Sequence, residues 1–171
     1  MARQGLCAVP HLPFDKADLR DLIQQLGFVQ IDSIRSVERA HHMILFARNQ
    51  NYQPEHLRQL LEEDRHLFEH WTHDASLIPT EFYPHWQQRF IRAEERLRER
   101  WRQQRPKTKS GGKTISFEDM MDQVKSHVDQ TGPTMSRDLK PKDSQRKKEK
   151  NGWWEWHPSK TALEFLWRTG D

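Results

Sequence analysis

A glutamine and an aspartate two residues apart, Gln30 and Asp32, are the pair best suited to chemistry in this sequence. They lie in segment 28–32, whose apolar and polar residues alternate and predict a short strand. Residues two apart in a strand share a face, so both polar groups would face outward while Ile31 points into the core. A fixed carboxylate beside an amide can hold water and stabilise the oxocarbenium-like sugar formed when an N-glycosidic bond breaks. The same spacing also fits a surface glutamine followed by an aspartate that caps the next helix.

Other reactive residue types form no comparable pattern. His70 and His73 are three apart at a predicted strand end without a cysteine partner, whereas a metal site needs three or four convergent ligands. We therefore expect hydrogen-bonded or surface histidines, no metal and no cofactor. The tryptophans at 153, 154 and 156 could stack on nucleobases. Alternating tryptophans on a strand more often pack in a core, which is the interpretation we favour.

Composition favours small helical units over one thick core. Hydrophobic residues make up 34% of the 171 residues and charged residues 31%, so each unit can bury little more than one apolar stripe per helix. The single cysteine, Cys7, excludes an internal disulfide. No apolar run approaches the length of a membrane span or signal peptide, so we expect a cytoplasmic protein.

Positive charge is concentrated in two segments. The chain carries a net charge of +3, but segment 89–113 has ten basic residues against three acidic ones, a net of +7. A second basic run occupies 146–150. Clustered positive charge suits a phosphate backbone, because each neutralised phosphate releases counterions. A solvated helix face followed by a solubilising loop would give the same pattern.

The elements that must position Gln30 and Asp32 have the order of a winged helix-turn-helix. Asp15 caps a helix that ends at Gly27. The strand at 28–32 follows, then helices at 34–46 and 54–63, and strands at 67–71 and 75–79 around the turn 72–74. The core positions predicted for the helix at 34–46 are Ile34, Val37, Ala40 and Ile44. In this fold the third helix commonly enters the major groove.

A second unit repeats part of this order. The domains predicted are a first winged helix at 1–80, a long charged helix at 81–105, a linker at 106–115 and a second winged helix at 116–171. The second unit would contain helices from Ser116, at 136–139 and from Pro158, a basic loop at 141–151 and a strand at 153–156. The fold class predicted is therefore mainly α with short β hairpins, a winged helix-turn-helix followed by an incomplete second one. Because the chain stops before a wing, the last helix would leave apolar surface uncovered.

Several segments together resemble one known family. These segments are Leu26–Ile34, Val37–His42, Leu67–Trp71, His73–Pro79, Gly132–Pro133, Ser136–Asp138, Gly152–Trp154 and Ser159–Glu164. On them the sequence resembles the YcaQ-like bacterial DNA glycosylases, with few gaps from Leu19 to Asp171. The resemblance implies tandem winged helices followed by a further C-terminal portion that includes β structure. It also implies removal of alkylated purines from DNA and, in some members, unhooking of interstrand crosslinks.

The resemblance also assigns roles to residues. The family's reactive motif is Gln, an apolar residue, then Asp or Gln, which Gln30-Ile31-Asp32 matches. It makes Asp32 the catalytic carboxylate and Gln30 its partner in placing water or substrate. We expect a monomer acting on double-stranded DNA that carries alkylated purines. The residues predicted to contact DNA are Arg39, His41, His42, Arg48, His73, Ser76, Arg89, Arg92 and Lys160.

Two alternatives remain open at this point. Family members are longer than this chain, so we expect an N-terminal fragment whose own activity is undecided. A non-catalytic winged-helix DNA binder, either a regulator or a decayed enzyme, would share the fold and read sequence through the helix at 54–63. A protein-interaction module would use the last helix.

Overall fold

The chain forms two compact units, Met1–Trp86 and Gln87–Asp171. The computed structural model describes residues 4–7, 11–32, 34–104, 108–110, 113–139 and 158–171, and it gives only the backbone for 101–104, 108–110, 113–115 and 158. Helices dominate both units, and the strands are short. The predicted class, mainly α with short β hairpins, is confirmed.

The first unit has the element order of a winged helix. Its elements are α1 (Lys16–Leu26), β1 (Val29–Gln30), α2 (Ala40–Phe46), α3 (Pro54–Glu62), β2 (Leu67–Trp71) and β3 (Ala75–Pro79). Asp15 caps α1 through a reciprocal capping box with Asp18, which satisfies two main-chain donors at the helix start. Gly27 ends α1 at a φ of 88°, a conformation that glycine adopts without a Cβ clash.

The three strands form one antiparallel sheet in the order β1-β3-β2. Val29 pairs with Leu77, and Gln30 pairs with Ser76, which in turn pairs with His70. Paired residues share a face, so Val29 and Leu77 face the core while Gln30, Ser76 and His70 form a row on the opposite face. Beyond Gln30, the Ile31 N–H still bonds to the Ala75 carbonyl at 2.8 Å, which extends the pairing by one residue.

Helices α1 and α3 supply most of the remaining core of this unit. Their apolar stripes meet the sheet face that carries Val29 and Leu77. The buried residues of this core are Leu19, Ile23, Val29, Leu45, Tyr52, Leu57, Leu60, Leu67 and Leu77. The opposite sheet face is covered by the residues that follow β3, where the ring of Phe68 meets Tyr83 and Trp86 edge-on.

The helix predicted at 34–46 is wrong in its first half. Helix α2 begins only at Ala40, and before it Arg35 and Arg39 pair through their backbones to close a short loop. Ile34 is 72% exposed and Val37 85% exposed, and Ile44 is also exposed. The buried residues of α2 are His41 and Leu45, so the apolar spacing that predicted the core positions named the wrong face.

The described part of the second unit contains helices and one small hairpin. Helix α4 (Tyr83–Gln104) leads into it, β4 (Thr108–Ser110) pairs with β5 (Lys113–Ile115), and α5 (Phe117–Thr131) and α6 (Pro158–Thr169) follow. The two strands thus occupy much of the predicted linker. Residues 136–139 form a turn and not a helix, and the predicted basic loop at 141–151 and strand at 153–156 lie outside the described residues.

The last helix is well packed. Its residues Ala162, Phe165 and Leu166 are buried in one cluster with Met120, Met121 and Val124 of α5. The prediction that its apolar surface would be left uncovered is therefore wrong, because α5 covers that stripe.

Candidate active site

The alternation that the sequence predicts is present from Val29 to Ile31. Val29 is buried in the core and Ile31 packs against it, while Gln30 on the edge strand is exposed. Ile31 is tied to β3 by its backbone hydrogen bond, and Asp32 follows it as a half-buried residue. The strand itself ends at Gln30, and the last two residues of the motif continue it without a full ladder.

Asp32 is held by hydrogen bonds at two points. Its main-chain N–H donates to Nδ1 of His41 at 3.2 Å. Its Oδ1 accepts the N–H of Ile34 at 2.8 Å, which forms a local side-chain-to-backbone turn. No helix begins at this turn, since the residue at the N-cap of α2 is Arg39. Asp32 is therefore not a helix cap, and its half-buried carboxylate is fixed by the chain around it.

His41 supports Asp32 from inside the fold. Its side chain is 4% exposed, and burial is the main reason why its pKa is lowered, with the neighbouring His42 and Arg39 adding to the effect. A neutral ring can present an unprotonated Nδ1 to the Asp32 N–H, whereas the imidazolium cannot. The structure thus places His41 inside the fold against the main chain of Asp32, whereas the sequence predicted that it contacts DNA.

A cavity of about 370 Å³ lies beside His42. It is lined by Glu38, His42, Met43, Phe46, Tyr52 and Pro54. His42 Nδ1 and the Tyr52 hydroxyl lie 2.7 Å apart, and Tyr52 is buried. No role was predicted for Glu38 or for Tyr52, which lies in the polar turn 49–53 between the helices predicted at 34–46 and 54–63. The lone aromatic residue in that turn was the signal that could have revealed the pocket.

The residues predicted to contact DNA differ in their solvent exposure. Arg39 and His73 are exposed in the first unit, as are Arg89, Arg92 and Lys160 in the second. Ser76 is completely buried, with its Oγ 2.8 Å from the Thr72 hydroxyl and donating to the Asp74 carbonyl at 3.0 Å. Because neither Ser76 nor His41 reaches the surface, the expectation that both touch DNA is corrected to a structural role.

Arg48 is also engaged within the protein. Its guanidinium donates to the carbonyls of Gln4 and Ile44, each at 2.8 Å, and the residue is half-buried. These bonds attach the N-terminal segment to the end of α2. A phosphate would have to compete with two carbonyl acceptors for this side chain, so Arg48 is a weaker candidate contact than Arg39.

The third helix presents an acidic surface. Its one Arg or Lys residue, Arg58, lies 2.5 to 3.1 Å from carboxylate oxygens of Glu55, Glu62 and Glu63. All four side chains are exposed. Three carboxylates around one guanidinium leave a net negative face, which the phosphates that border a major groove would repel. This arrangement does not fit the usual docking of a winged helix by its third helix.

The described residues contain no group of three or more His, Cys, Asp or Glu side chains placed to hold a metal ion. In the same part of the chain no helix combines the length and the apolarity needed to cross a bilayer.

Comparison with known proteins identifies the family. No solved structure matches the chain. A family model described as DNA glycosylase AlkZ-like matches residues 23–171, which includes the Gln30–Asp32 segment and most of both units. The chain therefore belongs to the AlkZ-like DNA glycosylase family, and base excision in DNA repair is its general role.

Proposed function

We propose that this protein hydrolyses the N-glycosidic bond of alkylated purines in double-stranded DNA, with Asp32 as the catalytic carboxylate and Gln30 as its partner. Alkylation at a ring nitrogen gives the purine a positive charge, so the base leaves as a neutral molecule. The electron deficit then falls on the sugar. A carboxylate beneath the sugar lowers the barrier by stabilising that charge, and Gln30 helps to place the attacking water.

The observation that carries the proposal is the fixation of Asp32. The His41 ring holds its N–H, and its own Oδ1 holds the N–H of Ile34. A carboxylate fixed before the reaction stabilises developing charge without the cost of reorganising at the transition state. Gln30 is exposed beside it on the sheet edge, where an amide can reach water or substrate. The same chemistry on either purine of an interstrand crosslink would unhook it, because one broken N-glycosidic bond frees one strand.

The acidic face of α3 argues against a sequence-reading regulator. Such a protein would place α3 in the major groove and contact base edges from it. The ion-paired Arg58 and the surrounding glutamates oppose that approach. A repair enzyme needs little sequence preference outside the lesion, and exposed basic residues such as Arg39, Arg89 and Arg92 suffice to hold phosphates.

The test compares Asp32→Asn with Asp21→Asn on a duplex carrying a single 7-methylguanine. Asp21 is an exposed aspartate on α1 that pairs with Arg20, so its replacement removes the same charge away from the site. Single-turnover formation of abasic sites is measured together with duplex affinity. We expect Asp32→Asn to slow excision by about 100-fold or more, as loss of one transition-state contact does elsewhere. Asp21→Asn should excise normally.

The affinity for the duplex distinguishes a loss of catalysis from a loss of DNA binding. Both variants should bind the duplex within about threefold of the parent chain, because neither aspartate neutralises a phosphate. Undiminished excision by Asp32→Asn would remove this carboxylate from the mechanism. Salt-sensitive duplex binding without any base release by the parent chain would instead support a non-catalytic binder.

A further inference from the structure

We propose that the cavity beside His42 is a binding site for a planar, positively charged nucleobase, with Glu38 selecting the cation and the aromatic side chains stacking on its ring. The inference rests on the proposed function, since an alkylated purine is such a base. It goes beyond that function by assigning recognition of the damaged base to residues outside the Gln30–Asp32 segment.

The lining of the cavity suits a flat heterocycle. Tyr52 is buried beneath it, His42 is half-buried, and Phe46 and Met43 are about half exposed at its edge. Aromatic faces attract cations, and a thioether packs favourably against ring edges. The volume of about 370 Å³ falls in the range of small-molecule sites, which starts at about 300 Å³.

Charge in the cavity favours a cation over a neutral base. Glu38 accepts the Arg39 N–H at 2.8 Å, and this bond is the main reason why the pKa of its carboxyl is lowered. Burial lowers the pKa of His42 and raises that of Tyr52. Near neutral pH both rings are therefore neutral while Glu38 is ionised, and the cavity carries one negative charge among its lining residues.

The ion pair between Glu38 and Arg35 does not close the site. Arg35 Nη2 lies 3.0 Å from Glu38 Oε2, but the arginine side chain is 66% exposed. Exposed ion pairs contribute little, about 1 kcal/mol or less, because water screens them. A ring cation held by stacking can therefore share or replace Arg35 at the carboxylate.

The cavity is also joined to the candidate carboxylate. His41 and His42 are neighbours on α2, with ring centroids 4.2 Å apart. His41 holds the main chain of Asp32, while His42 lines the cavity and contacts Tyr52. Two adjacent side chains of one short helix thus connect the group proposed to cleave the bond with the pocket proposed to hold the base.

The experiment measures binding of 7-methylguanosine and guanosine to the chain by NMR titration at about pH 6, where the methylated ring is cationic. The variants are Glu38→Gln and Phe46→Ala. Glu55→Gln is the matched control for the first, since Glu55 forms a similar exposed pair with Arg58 three residues away. Ile91→Ala is the control for the second, because Ile91 and Phe46 are both 49% exposed.

We expect the parent chain to bind 7-methylguanosine about threefold to tenfold more tightly than guanosine, as a stacked cation beside a carboxylate allows. Glu38→Gln should abolish this preference, Phe46→Ala should weaken both nucleosides, and the controls should match the parent. Equal affinity for the two nucleosides, or a preference that remains in Glu38→Gln, would refute the proposal that this cavity binds a cationic base. Excision that depends on Asp32 would stand in that case, because nucleoside binding requires no cleavage.

Discussion

Replacing His41 with leucine should release Asp32 from its position. Leucine fills a similar volume but offers no acceptor, so the Asp32 N–H that now bonds to Nδ1 would be left unpaired in a half-buried place. An unsatisfied group of this kind costs about 1–3 kcal/mol of the free energy of unfolding. Asp32 would also lose one of the two hydrogen bonds that fix it. We expect the excision rate to fall about tenfold or more, since small displacements of reacting groups have large effects.

Burial of the His41 ring also makes the stability of the folded chain depend on pH. The pKa of His41 is lowered in the folded chain, mainly by burial, so the unfolded chain binds this proton at a higher pH than the folded chain. Its contribution is present above the unfolded pKa of about 6.5 and is lost as the pH falls towards the folded pKa, with a slope of at most about 1.4 kcal/mol per pH unit. His41→Leu should remove this part of the acid sensitivity.

Denaturant unfolding at several pH values and single-turnover excision at neutral pH measure both effects. His41→Asn is the conservative variant, because its amide oxygen lies near the place of Nδ1 and can accept the Asp32 N–H. We expect His41→Asn to retain more excision activity than His41→Leu, although both lose stability. A folded His41→Leu variant that excises at the parent rate, and whose stability falls with acid as steeply as the parent's, would refute the positioning role.

Three further outcomes follow from the fold. Gln30→Ala should slow excision by about tenfold while changing the free energy of unfolding by less than about 0.5 kcal/mol, because the side chain is exposed. A loss of excision activity that is accompanied by a comparable loss of stability would contradict this expectation. Ser76→Ala should lower the free energy of unfolding by about 1–2 kcal/mol through its two lost hydrogen bonds. It should leave the affinity of the folded protein for DNA unchanged, and an affinity loss in a binding titration would restore Ser76 as a contact. Gly27→Ala should cost about 1 kcal/mol in thermal or denaturant unfolding, since only the φ of 88° opposes the added methyl group; an unchanged midpoint would show that the turn adapts.

Elements specified by local signals were predictable from the sequence. The capping aspartate, the apolar stripe and the terminal glycine define α1, and the strands β2 and β3 occur at the residues where the sequence predicts them. The alternation at 28–32 also predicted an exposed Gln30 between the buried Val29 and Ile31, which packs against the core. These features depend on contacts between residues close in sequence, so the local order of apolar, capping and turn residues is enough to predict them.

Tertiary structure decided the rest. Helix α2 starts at Ala40, because Asp32 turns the chain and the Arg35–Arg39 pairing occupies residues that the apolar spacing assigned to a helix. Burial of His41, and with it the support of Asp32, depends on how α2 packs against the core of the first unit, to which Leu45 belongs. The sequence alone predicts that an amide and a carboxylate share one face. Only the packing of distant residues decides which side chains hold them, because burial and hydrogen-bond partners are set by neighbours in space and not by spacing along the chain.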